Sequence, residues 1–195
     1  MSTQPIDTNE YTHLAHTIRF DWFPDDTSDA PWEREDGHGP VTDWERRSKG
    51  AGERILDSDH GSKRFYDFSE AVKIARRDGW GLSEEDTAKL ATRLGRTPTP
   101  GDIVAEAVEK DFKWLKDWCD DKWQYVGYVV TITGPDDEEL DYPDGSLWGI
   151  DSPSMKLFET EELDAIHAWL DTRAIAAVKE SDEAHLMACR DIATV

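Results

Sequence analysis

The chain has 195 residues, of which 37% are apolar and 33% charged, with a formal charge of −21 and nine tryptophans. That length suits one domain, or a domain with an appendage, and nine Trp, six Phe and five Tyr would leave a wholly disordered chain with too much exposed apolar area. The charge argues against direct binding to DNA or RNA, which needs Lys and Arg to displace counterions from phosphates, and against docking on an anionic membrane surface.

Residues 1–12 are polar and are expected to be disordered. They show no basic start and no apolar stretch, so no signal peptide is expected. No run approaches the roughly 20 apolar residues of a membrane span, and a cytoplasmic protein is expected. Thr17–Phe23 alternates Ile18, Phe20 and Trp22 against Arg19 and Asp21, which predicts a half-buried strand. Residues 24–52 hold three prolines and four glycines around Trp32 and Trp44, and read as a long loop. Glu53–Asp57 and Lys63–Tyr66 predict a short hairpin.

Asp67 with Glu70 predicts a helix start, and Gly79 its end. Ser83 and Asp86 open a second helix, stopped by Gly95. Thr99 as N-cap and Pro100 as first residue open a third, to about residue 119, with Val104, Val108, Leu115 and Trp118 at helical spacing. Trp123–Ile132, rich in β-branched and aromatic residues, predicts a strand. Ser146–Ile150 reads as its antiparallel return. A last helix is expected from about Thr160, with Leu163, Ile166, Trp169 and Leu170 as its stripe, running towards Cys189 with a break allowed.

This order predicts an α+β fold: a small antiparallel sheet with helices packed on one face. The domain expectation is a single α+β domain over residues 13–195 with a long loop at about 24–52.

Chemistry-bearing patterns are sparse. In residues 30–41, APWEREDGHGPV, Asp36 and His38 lie two apart between glycines, and a carboxylate beside an imidazole can orient it as a base. A plain turn explains the same residues. His13 and His16 would share a face only in a helix, and His60, His167 and His185 are isolated. Cys119 and Cys189 have no metal-site spacing and read as reduced thiols. No nucleophile elbow or phosphate cradle is present, so no catalytic residue, metal or cofactor is assigned. Trp114, Trp118 and Trp169 lie on helical stripes and read as core. Trp22, Trp123 and Trp148 fall in strands and fit core or surface, and the loop-placed Trp32, Trp44 and Trp80 are the candidate interface anchors.

The charge is unevenly spread. Residues 133–171 hold twelve acids against one base, Lys156, whereas residues 45–80 hold seven acids against nine bases. The candidate partner-binding acids are Asp136, Asp137, Glu138, Glu139, Asp141, Asp144, Glu161 and Glu162. Such a field draws in basic partners.

The strings APWEREDGHGPVTDW, RFYDFSEAVKIARRDGWG and WQYVGYVVTI followed by SLWGI resemble a family of uncharacterised small acidic proteins encoded by bacteriophages and prophages, over about residues 17–150. The resemblance implies a phage accessory protein acting in the cytoplasm of a bacterial host, and it carries over no site residues. With the charge, the leading expectation is an acidic protein that binds and inhibits or modulates a host nucleic-acid-binding or defence complex, of anti-restriction or anti-CRISPR type. Its carboxylates would stand where such a complex expects phosphates. The alternatives are a small enzyme with an Asp36/His38 loop site, and a virion or assembly component.

Overall fold

Alternation in Thr17–Phe23 and the β-branched run after Gln124 produce the two central strands of a sheet. The computed structural model of the chain describes residues 4–192, with side chains described through residue 180. In chain order the elements are β1 (Asp7–His13), β2 (His16–Pro24), the one-turn α1 (Pro31–Arg34), β3 (Glu53–Asp59), β4 (Ser62–Asp67), α2 (Phe68–Asp78), α3 (Glu84–Leu94), α4 (Pro100–Cys119), β5 (Tyr125–Thr133), β6 (Glu139–Leu140), β7 (Ser146–Asp151) and α5 (Met155–Ile192). Two antiparallel sheets with several helices make this an α+β fold. The chain divides into two compact units of nearly equal length, where one domain was expected: residues to Asp26 with those from Tyr125, and Thr27–Gln124. The physical reason is two separate apolar cores, each closed within its own unit.

In the first unit the sheet runs β1-β2-β5-β6, with β7 also paired to β5. Ile18, Phe20 and Trp22 on β2 lie opposite Ile132, Val130 and Tyr128 on β5, so one sheet face is continuously apolar. Ile166 and Leu170 of α5 complete that core. Residues 7–12, polar and expected to be disordered, instead form β1, because their backbone pairs along the whole of β2 from Asp7↔Trp22 to His13↔His16. Leu14 and Ala15 turn that hairpin in the left-handed region. His13 is therefore in a strand rather than a helix; it stacks on His167 at 4.2 Å and bonds Asp171 at 2.8 Å. The last helix starts five residues earlier than expected. Asp151 accepts from the Ser154 N–H at 2.8 Å and caps the 3-10 turn Ser152–Ser154 that leads into it. Its helical assignment is unbroken to Ile192, while the side chains of His185 and Cys189 lie outside the described residues. Among the described residues no helix is long and apolar enough to cross a membrane.

Among the described residues of this unit Glu159 is the buried charged one, 2% exposed. It accepts from Trp22 Nε1 (2.9 Å), Asn9 Nδ2 (3.0 Å), Lys156 Nζ (3.1 Å) and the Tyr11 hydroxyl, tying α5 to β1 and β2. One turn on, Glu162 accepts from the hydroxyls of Tyr128 (2.9 Å) and Tyr142 (2.6 Å). Burial works to raise the Glu159 pKa, but its hydrogen bonds from Tyr11, Trp22, Lys156 and Asn9 outweigh it and hold the carboxyl below its usual value.

In the second unit the β3–β4 hairpin packs Leu56 and Tyr66 against Ala71 and Ala75 of α2 and Val108 and Leu115 of α4. The helix boundaries follow the caps read from the sequence. Asp67, Ser83 and Thr99 each accept from the backbone three residues on, and Gly79 and Gly95 close α2 and α3 in the left-handed conformation. The 24–52 connection is mostly irregular, fastened to β4 by bridges at Val41↔Tyr66 and Glu45↔Lys63.

Replacing Glu159 by Ala removes the acceptor of four donors, leaves the fully buried Trp22 N–H unmatched, and is expected to lower stability by about 3 kcal/mol in urea unfolding. Because the folded carboxyl is the stronger acid, its contribution is complete above the unfolded value of about 4.3 and is lost as pH falls through the lower, folded one. Wild-type and Glu159→Ala stabilities should therefore converge on acidification.

Candidate functional site

Three groups of residues carry the functional expectations, and each lies within one unit. The first is the acidic region of the first unit. Asp136 and Asp137 form the turn after β5, with Asp137 in the left-handed conformation and its N–H donating to Gly134 O. Glu138 folds back, its carboxylate accepting from Asp136 N at 3.0 Å. Asp136, Asp137, Glu138, Glu139, Asp141, Asp144 and Glu161 are exposed. Glu162 is half-buried and held by Tyr128 and Tyr142, so it fastens the helix as well as adding charge.

The charge divides along the units. The first carries 21 acids against five bases, the second 22 against 17. A turn near the start of β6 and the exposed faces of α5 present carboxylates with almost no compensating cation. In the second unit most cations are paired with acids, as in Arg47–Glu53 (2.5 Å), Arg96–Asp102 (2.7 Å) and Lys113–Asp117 (2.8 Å).

The second group is the candidate anchors, and all three tryptophans lie in the second unit. Trp32 meets Trp118 edge-on at 5.3 Å, and the Arg64 guanidinium lies over both Trp32 (5.3 Å) and Trp44 (5.1 Å). Trp44 is 42% exposed. Trp80 packs against the second core and lines a cavity with Gly37, His38 and Ser83. The structure thus places the candidate acids in one unit and the candidate anchors in the other.

The third group surrounds His38. Its carboxylate partner is not Asp36, which is exposed, but Asp111 on α4. His38 Nδ1–H donates to Asp111 Oδ1 (2.6 Å), while Gly39 N–H (2.9 Å) and the Tyr66 hydroxyl (2.6 Å) donate to Oδ2. The imidazole lies parallel to Trp114 at 5.3 Å. The His38 and Asp111 side chains are only 14% and 9% exposed. A side chain at Gly39 would collide with the Tyr66 hydroxyl at 2.3 Å, so only glycine lets the loop close on this carboxylate. Burial first, and then Asp111, push the Tyr66 phenol above the usual tyrosine range. His38 Nε2 is buried and has no hydrogen-bond partner among the described residues. His38, Lys110, Lys113, Trp114 and Asp117 line a cavity of about 410 Å³ with Asp111.

Asp111 and Tyr66 escaped the sequence reading, although Asp111 leaves a signal. It sits three residues after Val108 and four before Leu115, on the apolar stripe of α4. Among the described residues no group of three His, Cys, Asp or Glu is placed to hold a metal. Cys119 is a half-buried free thiol, pushed up to about 12 chiefly by burial. Comparison with protein-family models, with characterised proteins and with solved structures finds no match to the chain.

Asp111→Ala leaves three donors unmatched. It is expected to cost about 2–4 kcal/mol and to speed hydrogen exchange at the Gly39 amide. In a spectrophotometric titration, Tyr66 should stay protonated well past pH 10, about where exposed tyrosines ionise, and Asp111→Ala should bring it down.

Proposed function

We propose that the chain is an acidic binding protein whose first unit engages a basic protein surface, as an inhibitor or modulator of a host nucleic-acid-binding or defence complex. The observation that carries this reading is the partition of charge: 21 acids against five bases in one unit, with the acids at 136–144 exposed. Several of the unit's acids, among them Asp21, Asp151, Glu159, Glu162 and Asp171, are taken up by internal contacts. The others remain to build the field that steers and holds a cationic partner. The phage or prophage origin implied by the sequence resemblance belongs to the same proposal and gives the partner a bacterial setting.

A second reading, a small enzyme, rests on His38 and now on Asp111 in place of Asp36. Asp111 fixes the imidazole through Nδ1, as in an oriented base, and leaves the buried Nε2 as its second ring nitrogen. It separates from the first by a generic probe, p-nitrophenyl acetate. As a base, Nε2 would take a proton from water as the water oxygen attacks the acyl carbon, and collapse of the adduct would expel p-nitrophenolate and leave acetate. Turnover that disappears in His38→Asn with unchanged melting would favour the enzyme.

The binding reading is tested by affinity capture from a bacterial lysate at low and high salt. One nucleic-acid-binding complex should be recovered at low salt and weakened at high salt, where exposed charges are screened. Reversal of Asp136, Asp137, Glu138 and Glu139 to Lys should reduce its recovery about tenfold or more, by analogy with other steered interfaces. Recovery that ignores both salt and reversal would overturn the charge account.

A further inference from the structure

The first unit has a sheet face opposite α5. Residues paired across an antiparallel ladder share a face, so Phe23, Gly127 and Trp148, in register across β2, β5 and β7, lie together on it. Phe23 and Trp148 stack at 6.3 Å with their planes 30° apart. A methyl group at Gly127 would lie 2.3 Å from the Trp148 ring, so the indole rests directly on the strand backbone. Trp148 is nevertheless 41% exposed, and Val129, two residues along β5 on the same face, is 37% exposed. Exposed acids lie just beyond two of these strands along the chain. Asp26 follows the Phe23 strand, and Asp144 precedes Ser146, the residue opposite Val129.

Elsewhere the chain repeatedly sets a guanidinium over an aromatic ring. Arg47 lies 4.2 Å over Phe65 and is bonded to Glu53. Arg54 lies 3.9 Å over Phe68 and is bonded to Glu109. Arg173 lies 4.8 Å over Trp169. Trp148 is exposed in the unit that holds 21 acids against five bases, and among the described residues no cation covers its ring.

We propose that this face is where the basic partner docks, with an arginine side chain of that partner stacked on Trp148. The proposal rests on the acidic-binder reading and names the contact that reading leaves open. Arginine fits better than lysine. Its planar, weakly hydrated guanidinium stacks on an indole while its edge bonds a carboxylate, whereas an ammonium is a compact, strongly hydrated charge. The anchor then lies in the acidic unit itself, unlike Trp32, Trp44 and Trp80.

The test titrates the full chain with two probes of equal charge, hexa-arginine and hexalysine, at fixed salt. Hexa-arginine should bind more tightly and shift the amide resonances of Phe23, Gly127 and Trp148. Trp148→Leu, which keeps an apolar side chain but removes the π face, should weaken hexa-arginine by about two- to fivefold and leave hexalysine unchanged. Phe23→Leu provides a second variant should the first fail to fold, and melting curves accompany both. An unchanged arginine-to-lysine ratio in a folded variant, or shifts confined to residues 136–139, would overturn the proposal. So would a dimer that Trp148→Leu dissociates, which would assign the face to a second copy of the chain. Reversing residues 136–139 separates the two levels. If reversal weakens both peptides while Trp148→Leu changes neither, the acidic reading stands and the arginine anchor falls. If neither peptide binds the wild type, both fall.

Discussion

Buried carboxylates that accept from the sheets they pack against are the constraint on which both units depend. A helix carboxylate taken out of water is costly unless its lone pairs are filled. Here aromatic side chains are among the donors that fill them: Trp22 and Tyr11 on Glu159, Tyr128 and Tyr142 on Glu162, Tyr66 and His38 on Asp111. Each aromatic donor supplies area to a core and a polar tip to an acid. The rest of the architecture is arranged around these contacts. The Glu159 cluster fixes α5 across the first sheet and holds the N-terminal strand, and the Asp111 cluster closes the 24–52 connection onto α4.

The same constraint separates two uses of negative charge. The acids on helix stripes are internal, each with its own donors. The acids on the turn between β5 and β6, before β7 and on the outer face of α5 have few cations near them in sequence or in the fold. A field of one sign on one unit is costly to the compact state through self-repulsion, and the apolar face shared by β2, β5 and α5 offsets that cost. The second unit, with 17 bases for 22 acids, neutralises its charge through local ion pairs and guanidinium–aromatic contacts.

Much of the fold was legible because its signals are local. The Asp67, Ser83 and Thr99 caps, the two closing glycines, and the alternation of Ile18, Phe20 and Trp22 act within a few residues, and each element they predict is present. The first strand was not legible. Asp7–His13 has no apolar pattern, and it is a strand because β2 offers it a complete edge of backbone partners. Asp111 and Glu159 were half legible: each breaks an apolar helical stripe with a carboxylate, but in a chain with 43 acids such a break does not stand out.

By itself the sequence determined the α+β class, the capped boundaries of α2, α3 and α4, the strong negative charge and the weakness of any catalytic signature. Caps, periodicity and composition are properties of neighbours along the chain. Only the tertiary structure decided that His38 answers to Asp111 rather than Asp36, that two cores form in place of one, and that Trp148 lies exposed beside Phe23 while Trp22 is buried. Those outcomes depend on which residues from distant segments share a face. That is set by strand register and helix packing, which no local pattern encodes.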